Sequence, residues 1–378
     1  MTLHPNPPET LEFHDEESLD QALAQCPNVP AAFLIWPSEG APYLAKTALL
    51  KRRLDRLLGR RSQPSRLLHL RALARRVEYW PYASRLEASL LLYELARTHF
   101  PDTYTRVLKL RQPPFVKLLL GNEYPRTQVT TRLSGSEALH YGPFSSRSAA
   151  EAFEAGFLDL FQIRRCQEDL EVSPEHPGCL YGEMGKCLRP CQMVVTAEGY
   201  RSEVARVEAF LRTGGHSLLE SIQTARDRLS EEMEFEEAAR MHKRLEKVTA
   251  LVQSKGELAC DIQNLGGVAI LPALRLDAVM LWFLLDGYWR PGITLSLELE
   301  EGRPVPLDRK IRERLHQLPP ARRVLLKERQ EHLALLTAWF FSSWRDGEWV
   351  PIENSSSIPY RKVVNAVHRV VKRATAIP

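Results

Sequence analysis

The amino-acid sequence predicts a multi-domain α+β protein, and three observations carry that expectation. Short apolar runs of strand length, among them AAFLIW (31–36), FVKLLL (115–120) and AVMLWFLL (278–285), recur along the chain. Between them lie stretches with apolar residues three and four apart, as in SRLEASLLLYELARTHF (84–100). The chain has 378 residues, enough for roughly two to four domains, and its 44% hydrophobic and 26% charged content is that of a globular protein.

Taken in order, residues 1–28 read as a loose leader, acidic and proline-rich, without the basic-then-apolar order of a secretory signal. Residues 29–125 join the strands AAFLIW and APYLA (41–45) to helices at ALLKRRLDRLL (48–58) and 84–100, an α/β pattern. Short strands with turns fill 111–146: FVKLLLGNEY, RTQVTT and LHYGPF. Residues 126–195 end in a linker helix, at 147–163 with serine capping its start, and a cysteine-rich segment. Helices occupy 196–253, at 196–212 and 216–253. The remainder, 254–378, begins with strand-like GGVAILPAL, AVMLWFLL and GITLSLEL and ends in helices at 321–344 and 360–374, a small α+β domain. No run of eighteen apolar residues suggests a membrane span. The expected compartment is the cytoplasm, where disulfides are rare.

Net charge is only +4, but residues 46–76 hold eleven Lys or Arg against one acid, Asp55. Lys51, Arg52, Arg56, Arg60 and Arg61 in that run are candidate phosphate-binding residues. A solvated helix face is the alternative.

Four of the six cysteines, Cys166, Cys179, Cys187 and Cys191, fall within one short segment. Soft thiolates in that number suit tetrahedral zinc or an iron–sulfur cluster. No CxxC pair of the zinc-ribbon kind is present, which leans toward the cluster. Gly178, Gly182 and Gly185 would let the chain wrap closely, and Pro190 would stiffen the approach to Cys191. Arg164, Arg165, Lys186 and Arg189 are expected to favour thiolates. Buried cysteines without a ligand are the alternative.

Residues 216–252 suit an antiparallel helical hairpin. Leu218, Ile222, Ala225 and Leu229 share one side, followed by Met233 and Phe235 in an acidic setting and then Ala238, Ala239, Met241, Leu245 and Val248. So small a hairpin must bury its stripe against its own protein or a similar hairpin elsewhere.

At this point a resemblance enters. HYGPFSSRSAAEAFEAGFLDLFQIRRC followed by PGCLYGEMGKCLRPC resembles the UvrC family, a component of the bacterial nucleotide-excision-repair excinuclease. That family reads approximately YFGPY, a helix, RTC, then RPCLxYxxGRCxxPC. His140–Phe144, Arg165–Cys166 and Cys179–Cys191 match in order. The resemblance implies a Cys-ligated iron–sulfur site, with zinc as the alternative. MEFEEAARMHKRL resembles the family's UVR motif (LEFEEAAxxRDxI), which pairs with the equivalent hairpin of the excinuclease component UvrB. It implies Phe235 as anchor, with Met233, Ala238, Ala239 and Met241 around it.

The family's N-terminal part is a GIY-YIG nuclease domain, and PAAFLIWPSEGAPYLAKTALLKRRLDRLL then EASLLLYEL is similar to it. Tyr43, Lys46 and Arg53 stand at its second Tyr, its Lys and its catalytic Arg, so they are the implied catalytic residues. A phenol can handle a proton and the cations can stabilise phosphorane-like charge. The first Tyr, however, is Phe33, the Gly is Ala45, and the metal-ligating Glu is Leu92. A hard divalent cation needs oxygen ligands. Glu87 and Glu94 lie about 140° and about 160° around the helix from Leu92. The domain is thus expected to be degenerate and to grip phosphates without cutting. The family's second, RNase H-like centre has no counterpart motif; Cys260–Asp261 is only an echo, and Asp261 reads as a turn or cap residue.

The implied function is that of a shortened UvrC-like component of nucleotide excision repair, binding DNA and a UvrB-like partner, with no membrane association and with impaired or absent nuclease activity. Two alternatives stay open: an active single-incision GIY-YIG endonuclease, and a non-catalytic paralogue using its hairpin for protein contact alone.

Overall fold

The computed structural model describes residues 3–60, 70–135, 137–298, 305–320, 322–353 and 357–375. The chain is of mixed α+β class and divides into two compact units. One comprises Met1–Arg111, Gly266–Arg322 and Ala338–Pro378, the other Gln112–Leu265 and Arg323–Thr337. Sequence boundaries at 125 and 253 therefore do not coincide with the units, because strand pairing brings distant segments together.

The first unit opens with β1 (Glu9–Glu12), α1 (Glu16–Gln25), β2 (Ala31–Pro37), β3 (Tyr43–Thr47), α2 (Leu50–Leu58), β4 (Ala74–Pro81), α3 (Arg85–His99) and α4 (Tyr104–Leu108). The sheet order is β1-β4-β2-β3, antiparallel throughout. Within residues 1–28, expected to be a loose leader, Glu9–Glu12 and Glu16–Gln25 form regular structure. β1 pairs with β4, and α1 is closed by an Asp15–Ser18 capping box, with Leu19 and Leu23 buried. β4 lies at the tail of the basic run, where its arginines conceal the buried Ala74, Val77 and Tyr79, the first set off by a register irregularity.

Strand alternation gives this sheet two faces. Phe33 and Ile35 share one with Tyr43, Ala45, Val77 and Tyr79, covered by Leu19 and Leu23 of α1 and Leu50, Leu54 and Leu57 of α2. Ala32 and Leu34 share the other with Leu44 and Trp80, covered by Leu91, Leu92 and Leu95 of α3.

The second unit contains β5 (Phe115–Leu119), β6 (Thr127–Thr130), β7 (Ala138–Gly142), α5 (Arg147–Leu158), α6 (Leu180–Glu183), α7 (Ala197–Arg212), α8 (His216–Glu231), α9 (Phe235–Ser254) and β8 (Cys260–Asp261). Its sheet runs β6-β5-β7-β8. The Ser146 hydroxyl accepts from Ala149 N–H at 3.1 Å, capping α5 as expected, and the helix stops at Leu158 rather than 163. Tyr141 stacks on Phe153 at 5.1 Å, and Phe157, Phe210 and Val248 continue this core. Gly142 is required beneath it: a Cβ there would lie 2.9 Å from the Phe115 ring. Asp261 is buried and accepts from Arg212 at 3.1 Å and Gln263 N–H at 3.0 Å, a structural cap as read from the sequence.

The C-terminal part of the first unit holds β9 (Gly267–Pro272), β10 (Ala278–Leu285), β11 (Tyr288–Trp289), β12 (Ile293–Ser296), α10 (Leu307–His316), β13 (Glu348–Pro351) and α12 (Tyr360–Thr375); α11 (Leu326–Phe340) begins in the other unit. The order β11-β10-β9-β13, with β12 on β10, buries β10 along its whole length, which is why AVMLWFLL is continuously apolar. Ile311, Val363 and Val367 cover one face of it.

Candidate functional site

The three implied catalytic residues do not form one constellation. Tyr43 and Arg53 lie on the α2 side of the sheet, where an Arg53 guanidinium N–H donates to the Tyr43 hydroxyl at 3.1 Å and the Phe33 ring lies 6.2 Å from that of Tyr43. Lys46 pairs with Ala32 and therefore belongs to the opposite, α3 side. Lys46 is an exposed residue, yet its ammonium has lost enough hydration to pull its pKa below the ordinary lysine range, with Arg85 adding to the effect. Arg85 also opposes the rise that burial imposes on Tyr82, whose hydroxyl donates to the Thr47 carbonyl at 3.2 Å. Neither Lys46 nor Arg85 has an ion pair among the described residues.

No carboxylate of α3 stands in for the one missing at Leu92. Leu92 packs with Ala32, Leu34 and Trp80. Glu87 is buried, accepting from Ala83 N–H at 2.9 Å and facing His4 Nε2 at 3.2 Å. Glu94 accepts from the N–H groups of Leu3 and His4 at 2.9 and 3.1 Å, and burial raises its pKa. Both acids are thus occupied by the N-terminal segment.

The basic run is less free than its composition implies. Lys51 donates to the Ala24 carbonyl at 2.6 Å. Arg60 pairs with Asp20 at 2.9 Å, and Arg71 with Asp20 and Glu16. Arg56 also has a partner, while Arg52 is exposed. Arg61 lies outside the described residues. The acids of α1 had no place in a charge count confined to 46–76.

The four cysteines share one locality. The Cys187 thiol feels Cys166, Cys179 and Cys191, and Cys191 feels Cys179 and Cys166. Cys187 and Cys191 are buried, Cys166 is half-buried and Cys179 is exposed. Arg189 N–H donates to Cys187 Sγ at 3.4 Å and the Arg164 guanidinium to Cys166 Sγ at 3.6 Å. Arg189 also packs its stem where a Cβ on Gly182 would stand. The donor set fits a soft metal centre in kind. In arrangement it does not: among the described residues, no group of three or more His, Cys, Asp or Glu side chains is placed to hold a metal ion.

The expectation that nearby cations would favour thiolates is overturned for the buried pair. Burial pushes Cys187 up to about 11 and raises Cys191 as well. Two of the cations are diverted, since Arg165 and Lys186 both pair with Asp159, at 2.9 and 3.0 Å.

The hairpin forms as expected and changes character along its length. At its base Leu218, Ile222 and Val248 are buried in the unit's core. At its tip the chain reverses through Met233, which has φ of +62°, and Glu234 N–H donates to Leu229 O at 2.8 Å. Met233 is 76% and Phe235 66% exposed. Ala239 is exposed and Ala238 half-buried, but Met241 packs against the unit's own core instead of joining them.

Residues 114–210 match the family model described as "UvrC/Cho excinuclease, middle domain". That places the β5–α7 region, with its cysteine segment, in the class of UvrC/Cho middle domains. The chain is 26% identical to UvrABC system protein C of Lachnospira eligens over 274 residues, 71% of this chain and 45% of that one. It is also 26% identical to the proteins of that name from Moorella thermoacetica and Rickettsia typhi, covering 66% and 69% of this chain and 41% and 42% of theirs. The chain is thus similar to UvrC proteins, at low identity, and spans less than half the length of these relatives. No solved structure matches it. No helix among the described residues is long and apolar enough to cross a membrane.

Proposed function

We propose that this chain is a nucleotide-excision-repair component of UvrC type that binds DNA and a UvrB-like partner and has lost, or nearly lost, phosphodiester cleavage. One observation carries the reading: α3 offers no free carboxylate beside the sheet, because Leu92 is apolar and Glu87 and Glu94 are both taken up by residues 3 and 4. Metal-assisted hydrolysis requires such an oxygen ligand. Lys46, Arg52 and Arg53 supply cations for phosphates, and the hairpin tip presents Phe235 and Met233 to a partner hairpin.

The four cysteines are proposed to hold an iron–sulfur cluster, or zinc, once their sulfurs converge; the support is the donor chemistry and their common locality. Iron and sulfide content of an anaerobic preparation, compared with Cys187→Ser, tests that part. For the nuclease, a labelled duplex is incubated with the protein and Mg²⁺ or Mn²⁺. The expected result is salt-dependent binding without nicking. Incision abolished by Lys46→Ala and by Arg53→Ala would establish instead the active endonuclease, with another carboxylate recruited.

A further inference from the structure

Beside Lys46 and Arg85 lies a feature that the family resemblance does not account for. Trp344, on the segment following α11, is 63% exposed, and the Arg85 guanidinium sits over its ring at 4.0 Å. Its exposure is notable only in company, because a cation lies on its face and Phe341 is exposed on the same segment. The segment is fixed in place. Asp346 accepts from Arg85 N–H at 2.7 Å and from the Trp339 indole N–H at 2.8 Å, so its carboxylate tethers the turn to the start of α3. Phe341 is exposed on the same segment, and Arg345 lies over Phe340 at 4.4 Å.

Lys46 lies on the sheet face that α3 covers, and Arg85 opens α3. Neither side chain has an ion pair among the described residues, although the Asp346 carboxylate takes the Arg85 backbone N–H, so an anion between the two cations would relieve their repulsion. An exposed aromatic carrying an arginine on its face suits the π-face of a nucleobase. An acidic protein segment would satisfy the cations but leave the indole in water; a nucleotide satisfies both.

We propose that Lys46, Arg85 and Trp344 form a nucleotide platform, in which the two cations take a backbone phosphate and the indole stacks an unpaired base. This rests on the reading that the chain binds DNA, and adds to it a preference for unpaired over fully paired strands.

The full chain is titrated with a perfect duplex and with the same duplex carrying a short unpaired bubble, at low and moderate salt. The unmodified protein is expected to favour the bubble, and Trp344→Ala to reduce the bubble-to-duplex affinity ratio roughly tenfold, as loss of a base-stacking aromatic does. Trp344→Phe should retain most of the preference. As a check independent of variant folding, 5-iodouracil placed in the bubble should photocrosslink to Trp344 in the unmodified protein. Binding of both DNAs with an unchanged ratio in Trp344→Ala, or crosslinks only elsewhere, would overturn the platform while leaving DNA binding intact. Absence of any DNA binding at low salt would overturn both, and capture of an acidic peptide at this face would assign it to a protein partner.

Discussion

Helix α3 and the α8–α9 hairpin treat out-of-place residues in opposite ways. On α3, Glu87 is buried and Glu94 half-buried, and both oxygens of Glu87 and one of Glu94 have partners within the protein. At the hairpin tip, Met233 and Phe235 stand in water with nothing of their own unit to cover them. A buried polar group that is fully partnered is a structural device. A large apolar side chain held out on a rigid turn is a surface awaiting contact. The family resemblance implies chemistry for the N-terminal domain and docking for the hairpin; α3 turns its acids inward, whereas the tip leaves its apolar pair uncovered.

The largest expected effect tests where this contrast begins. Phe153→Ala, in the aromatic core beneath β7, should cost about 3–5 kcal/mol of stability by denaturant titration. Phe235→Ala should leave stability within about 0.5 kcal/mol. A comparable loss for both would show that the tip is core and that the contrast is false.

A pH series offers the next test. His140 is buried, and burial first and Lys117 second push its pKa from 6.5 down to about 4. The folded protein then binds fewer protons than the unfolded chain below pH 6.5. The stabilising contribution is complete above that value and is lost as pH falls toward 4, by at most about 3 kcal/mol. His140→Gln should flatten the profile over that window.

For the hairpin, Phe235→Ala should weaken binding to the proposed UvrB-like partner by about 2 kcal/mol in a calorimetric titration. Met241→Ala should lower stability more than it lowers that affinity, since Met241 packs inward. On α3, Glu87→Gln should lower stability by about 1–3 kcal/mol through its bonds to Ala83 and His4. DNA affinity should stay as it was; a fall in it would return Glu87 to the functional surface. The smallest effect is Ser146→Ala, at about 1 kcal/mol for the lost cap of α5.

The strands β2, β3, β5–β7, β9, β10 and β12 were legible because their apolar runs are bounded by turns, and the hairpin because its stripe keeps helical spacing. β4 was not, because arginines dominate its composition while its alternation is read only against its partners. β1 and α1 hid behind prolines and acids. The separation of Tyr43 from Lys46 follows from their odd spacing on one strand, but only once pairing shows that both faces are covered. Arg60 and Arg71 read as free cations because their partners, Asp20 and Glu16, lie far away in sequence. The cysteine locality was legible from spacing; the dominance of burial over neighbouring charge was not, since it depends on which guanidinium Asp159 attracts.

The first unit is stitched from three stretches of chain and the second from two, and this bears on how the polypeptide matures on the ribosome. A gene fragment ending at Ser254 would leave β7 without β8, whose Asp261 sits opposite Tyr141. It would also strip Arg85 of Asp346 and Leu3 of its bond from Gly292. The four strands of the N-terminal sheet are complete by Pro81, but two of the bonds that brace its surroundings are supplied by residues translated only after most of the second unit.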